Sequence, residues 1–84
     1  MEHAKRRRSA VYSPEYQRLL KRLRDARHRA GLTQVQVAKA LGRPQSFVTK
    51  CELGERRIDP VDLQRFAKLY RKPLSFFLPR KRDR

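Results

Sequence analysis

Residues 31–58 read GLTQVQVAKALGRPQSFVTKCELGERRI, and the way this stretch divides decides the fold. Thr33 with Gln36 three residues on fits a capping box. The Thr hydroxyl accepts from the backbone N–H of Gln36, and the Gln side chain returns to the N–H of Thr33. Val37, Ala38 and Leu41 then share one helical face, and Gly42 suits the left-handed residue that ends a helix. Pro44 needs no N–H at a helix start, so another helix is expected from about Pro44 to Leu53. Val48 and Cys51 stand one turn apart on its inner side, and Gly54 stops it. Only Gly42 and Arg43 join the two helices, so the helices must cross at a sharp angle.

Working outward, the same signals recur. Ser13-Pro14-Glu15 reads as N-cap, first helical residue and first-turn acid. Tyr16, Leu19, Leu20, Leu23 and Ala30 follow at helical spacing up to Gly31. After the charged loop Glu55-Arg56-Arg57, Asp59-Pro60 repeats the cap-then-Pro start. Leu63, Phe66, Ala67 and Tyr70 form the next apolar stripe. Pro73 resets the chain, and Leu74–Leu78 reads as a short fifth helix; its Phe76, Phe77 and Leu78 read as core or as a dimer seam, with core expected for one of the two Phe rings. No strand alternation and no internal repeat occurs. The expectation is an all-α bundle of five helices over residues 13–79, between a disordered basic arm, 1–12, and a basic tail, 80–84.

Eighty-four residues hold one modest core and no separate catalytic lobe. The chain carries 23 Lys and Arg against 8 Asp and Glu, net +15. Such a balance predicts a polyanionic partner: nucleic acid, a membrane surface or an acidic protein. Residues 1–12 and 80–84 hold eight of the basic and two of the acidic side chains, so the remainder still has 15 basic and 6 acidic, net +9. A lone cysteine, Cys51, allows no intramolecular disulfide and reads as a small core residue. His3 and His28 lack partners at ligand spacing, so no metal and no cofactor is expected. No Ser/His/Asp set, paired carboxylates or phosphate-cradling Gly loop appears, so an enzyme is not expected. No apolar run approaches the ~18 residues of a membrane span, and no apolar segment follows the charged start. A soluble cytoplasmic protein is expected.

On a wheel of about 100° per residue, the helix from Pro44 to Leu53 has two sides. Val48, Cys51 and Glu52 lie on one; Gln45, Ser46, Thr49, Lys50 and Leu53 lie on the other. The outer side is polar and short-chained, so a base edge can approach it. Gln pairs bidentately with adenine, Lys donates to guanine O6 and N7, and Ser is permissive. With the tight turn before it, this is the geometry of a helix-turn-helix.

The run from Gly31 to Ile58 resembles the helix-turn-helix of the Cro/C1-type (XRE) family, the class that includes phage repressors. The shared features are Gly-Leu-Thr-Gln, Ala38, Leu41-Gly42, Val48, Glu52 and Gly54 at the family's spacing. The likeness extends over roughly residues 16–78. It implies a five-helix, lambda-repressor-like bundle that binds double-stranded DNA, usually as a homodimer on a palindromic operator. It places base reading on Gln45, Ser46 and Lys50, with Phe47 and Thr49 available for thymine methyls. Phosphate contacts fall on Gln34, Arg43, Arg56 and Arg57. Three positions depart from the family: Pro44 replaces a Ser or Thr cap, Arg71 replaces a Gly that often ends the fourth helix, so that the turn there is expected to be built differently, and Cys51 replaces a larger residue. The resemblance also bears on Arg27, which continues the stripe Tyr16, Leu20, Leu23, and on Glu52, an acid on an inner face. It implies that they form a salt bridge from the first helix to the recognition helix.

The function these features imply is a transcriptional regulator, a repressor, reading the major groove and lying on the nucleoid through its DNA. The alternative is an antitoxin or controller-type protein, in which the same module binds DNA and a protein partner. A third reading is a basic protein that binds nucleic acid or acidic proteins without reading sequence.

Overall fold

A computed structural model describes residues 13–78. The basic arm and tail expected at 1–12 and 80–84 lie outside them. Within that span the chain forms α1 (Pro14–Arg29), α2 (Gln34–Leu41), α3 (Gln45–Leu53) and α4 (Pro60–Tyr70), then a 3₁₀ turn over Leu74–Phe76. No strand occurs among the described residues.

Local chemistry sets most of the boundaries. The Ser13 hydroxyl accepts from the N–H of Tyr16, and Pro14 opens α1. Thr33 and Gln36 close both bonds of a capping box on α2. Asp59 caps α4 through the N–H of Asp62, ahead of Pro60. Each such cap supplies an acceptor to a backbone donor that the helix leaves unpaired and contributes about 1 kcal/mol. Pro44 is the N-cap of α3 and offers no side-chain bond. Gly42 and Gly54 end α2 and α3 in the left-handed conformation.

Two expectations need correction. The fifth helix is a single 3₁₀ turn, because Pro73 and Pro79 leave too short a run between them. A proline also disfavours the α conformation in the residue before it. Arg71, expected to need a differently built turn, ends α4 in the same left-handed geometry that glycine uses, at φ 59 and ψ 45. It is the one non-glycine residue with positive φ among those described. A side chain there costs roughly 1–2 kcal/mol.

The core is one cluster. Leu23 and Ala26 of α1 meet Val37 and Ala38 of α2, Val48 and Cys51 of α3, and Leu63, Phe66 and Tyr70 of α4. Phe77 seals it from the 3₁₀ turn at 1 % exposure, with Phe76 packed edge-on beside it. Fully burying a side chain of Leu, Val or Phe size contributes about 1.5–3 kcal/mol. Half the inner face of α3 is thereby fixed, and its opposite face is left to solvent.

Candidate nucleic-acid interface

The exposed side of α3 carries Gln45, Ser46 and Lys50, with Thr49 half-buried at its edge. They lie on one face because their angular positions, at about 100° per residue, fall opposite Phe47, Val48, Cys51 and Glu52. Phe47 does not belong to that face, contrary to the sequence expectation. It is 6 % exposed and stacks on Phe66 of α4, with ring centroids 6.3 Å apart and planes 3° from parallel. Positions 47, 48, 51 and 52 form one buried stripe, so no thymine methyl can reach the Phe47 ring.

Glu52 organises the underside. Its carboxylate is 3 % exposed and takes two of the three nitrogens of the Arg27 guanidinium: Nε donates to Oε2 at 2.7 Å and Nη2 to Oε1 at 3.1 Å. The remaining nitrogen of Arg27 donates to the Leu32 carbonyl at 3.0 Å. Gln34, first residue of α2, donates through Nε2 to Glu52 Oε1 at 3.0 Å, and its amide oxygen accepts from the Thr49 hydroxyl at 2.7 Å. Arg24 of α1 adds a bond to the Glu52 carbonyl at 3.3 Å. Bidentate, charge-assisted pairing of this kind fixes direction as well as distance. Three helices are thus tied at one carboxylate, and α3 has a defined tilt against α1 and α2.

The network has a consequence for Thr49 and Gln34. The single hydroxyl proton of Thr49 is spent on Gln34, which leaves the threonine an acceptor and a methyl group to present. The Gln34 amide keeps one free N–H, so its reach toward a phosphate is through that hydrogen and its backbone. No pattern in the sequence pointed to the Thr49–Gln34 bond, which joins residues on two helices.

The basic residues beside α3 are held by aromatic rings. The Arg43 guanidinium sits 4.2 Å from the centroid of Phe47 and 3.5 Å from Asp62 Oδ1. Arg56 lies 5.1 Å from the same centroid. Arg57 lies 5.6 Å from the ring of Tyr16, whose hydroxyl accepts from the N–H of Ile58 at 3.1 Å. Phe47 is therefore a buried platform with two guanidinium groups over it. Arg56 and Arg57 are exposed, whereas Arg43 is half-buried and already paired with Asp62.

Cys51 is fully buried under this layer, and burial pushes its thiol up to about 11. It stays protonated near neutral pH and is no nucleophile. Among the described residues no group of His, Cys, Asp and Glu could hold a metal ion. No helix among them is long and apolar enough to cross a membrane.

A family model described as a helix-turn-helix domain matches residues 18–74, more than half of the chain. No curated protein and no solved structure matches it. The matched span holds all of α2, α3 and α4 and most of α1.

Proposed function

The chain belongs to the helix-turn-helix domain family, and from that premise we propose that it is a sequence-specific transcriptional regulator, a repressor that occupies its operator. α3 enters the major groove of double-stranded DNA. Gln45, Ser46 and Lys50 read base edges, and Thr49 offers a methyl to thymine or an acceptor to an amino group. Arg56 and Arg57, with the free amide hydrogen of Gln34, take phosphates; Arg43 adds positive potential from its place over Phe47. The observation that carries the reading is the exposed polar face of α3, held at a fixed tilt by the Arg27–Glu52–Gln34–Thr49 network. A side chain that reads bases needs such support, because a small error in tilt moves it out of hydrogen-bond reach.

One copy grips one half-site. Two copies about a two-fold axis would read half-sites roughly 34–36 Å apart, so the preferred site is a palindrome. Phe77 is too deeply buried to serve as the seam; Leu74 and Leu78, each about two-fifths exposed, are the apolar side chains that the 3₁₀ segment leaves for a second copy. The basic segments 1–12 and 80–84 add phosphate contacts around the domain at 13–79.

Selection from a random duplex library tests the proposal. An enriched palindrome is expected. Equal recovery of all sequences would leave a basic protein that binds DNA without reading it. On the selected site, log affinity should fall linearly with log salt, with a slope of about −0.9 per phosphate neutralised. Deleting residues 1–12 should make that slope shallower.

A further inference from the structure

Six cations among the described residues, Arg29, Lys39, Lys50, Arg65, Lys68 and Arg71, make no salt bridge, side-chain hydrogen bond or ring contact with another described residue. Lys50 belongs to the outer face of α3. Four of the others gather elsewhere. Arg65 and Lys68 flank an open hollow floored by Leu41 and Leu69 between α2 and α4. Arg29 and Arg71 flank a second hollow where the ends of α1 and α4 meet. Leu69 lines both, so the two hollows form one continuous face along α4, and no acidic residue lines either.

We infer that this face docks an acidic amphipathic segment of another protein. The apolar floor sorts the possible occupants. A DNA backbone presents charge without apolar side chains and would leave Leu41 and Leu69 unused. A helix with acids on one flank and leucines on the other meets both the floor and the rim. A second copy of this chain is disfavoured, because a two-fold axis through the face would set Arg65, Lys68 and Arg71 against themselves. The strained left-handed backbone of Arg71 holds its side chain at the rim of the second hollow, where a glycine would relieve the strain and remove the charge. The face shares no residue with Gln45, Ser46, Thr49 and Lys50, so DNA and the acidic segment can be held together. The inference does not depend on base reading and would survive a failed operator selection.

The test uses the full chain, isotopically labelled and titrated with a synthetic helix about four turns long carrying Leu on one face and Glu on the others. A Glu-only peptide of equal charge and a short DNA duplex serve as comparators. Amide signals of Leu41, Leu69 and Arg71 should move with the Leu/Glu peptide while those of Gln45–Lys50 stay in place. Arg65→Ala combined with Lys68→Ala, both exposed positions, should weaken the peptide about fivefold or more. The same variant should change affinity for the preferred duplex by no more than about twofold, since charges beyond a Debye length of the DNA are screened. Equal binding of the Glu-only peptide would overturn the inference in favour of a featureless basic surface. Movement of the same amides on adding duplex would overturn it in favour of nucleic acid. Unchanged peptide affinity in the double variant would overturn it outright.

Discussion

Two regions of this molecule handle charge in opposite ways. Beneath α3, the ions are drawn inside: Glu52 is 3 % exposed and accepts from Arg27 and Gln34, and Thr49 donates to Gln34. Along α4, Arg65, Lys68 and Arg71 stand in solvent with no partner among the described residues. In the first region a charge is part of the architecture, and its removal leaves a buried counter-ion. In the second the fold is indifferent to the charge, which remains available to something outside. A residue's type alone does not say which; the neighbours do.

The contrast breaks most visibly at Glu52. Glu52→Ala strands a guanidinium that is 11 % exposed and frees Gln34, so it should cost about 3–5 kcal/mol in urea unfolding. Glu55→Ala, in the exposed loop, should cost no more than about 0.5 kcal/mol. Similar losses for the two would show that the buried network is not structural.

The outer face of α3 lies between the two regimes: exposed, yet aimed. Gln45→Ala should leave stability nearly unchanged while weakening the selected duplex by about 1–3 kcal/mol. Random duplex should hardly respond, as no charge is lost. A competition assay against both DNAs reads the difference, and parallel losses would remove Gln45 from base reading.

At the end of α4 the sign reverses. Arg71→Gly relieves a left-handed backbone but adds freedom to the unfolded chain, so a net gain of about 0.5–1 kcal/mol is expected. Thermal unfolding would register it as a higher Tm, and a lower Tm would mean that the Arg71 side chain supports the fold. Smallest of all, Arg65→Ala or Lys68→Ala should stay within about 0.5 kcal/mol of the parent; a larger loss would place these cations in the architecture with Arg27.

The parts of the fold written locally were legible in the sequence. Ser13, Thr33 with Gln36, and Asp59 announce helix starts because their short polar side chains compete for nearby backbone donors. Gly42 and Gly54 announce helix ends because they tolerate positive φ. Arg27 and Glu52 stood out as charges on apolar stripes, and the structure joins them. What depended on contact between distant segments was less legible. Phe47 looked available for DNA because the family resemblance placed it there, yet positions 47, 48 and 51 keep the spacing of a buried stripe, and its partner Phe66 lies on another helix. That spacing was the overlooked signal. The Thr49–Gln34 bond and the stacking of Arg43 and Arg56 on Phe47 arise only after α2, α3 and α4 assemble. The last segment was read as a helix from its apolar residues, while the two prolines bounding it restrict it to one 3₁₀ turn.

The thiol at the centre of the bundle doubles as a clock. Cys51 is sealed at 0 % exposure and held as a protonated thiol near neutral pH, so an alkylating reagent can reach it only in molecules that have momentarily opened. Its labelling rate therefore counts openings of the core, at the population of the open form when closing outruns reaction. Since its folded-state value is raised from 9.0 to about 11, the folded form holds the proton longer than the open one, and stability should fall as pH climbs through that interval. DNA that binds only the closed protein must slow the clock by the factor 1 + [DNA]/Kd. One residue buried in the core thus lets affinity for DNA be timed from inside the protein, with no tag placed on either partner beforehand.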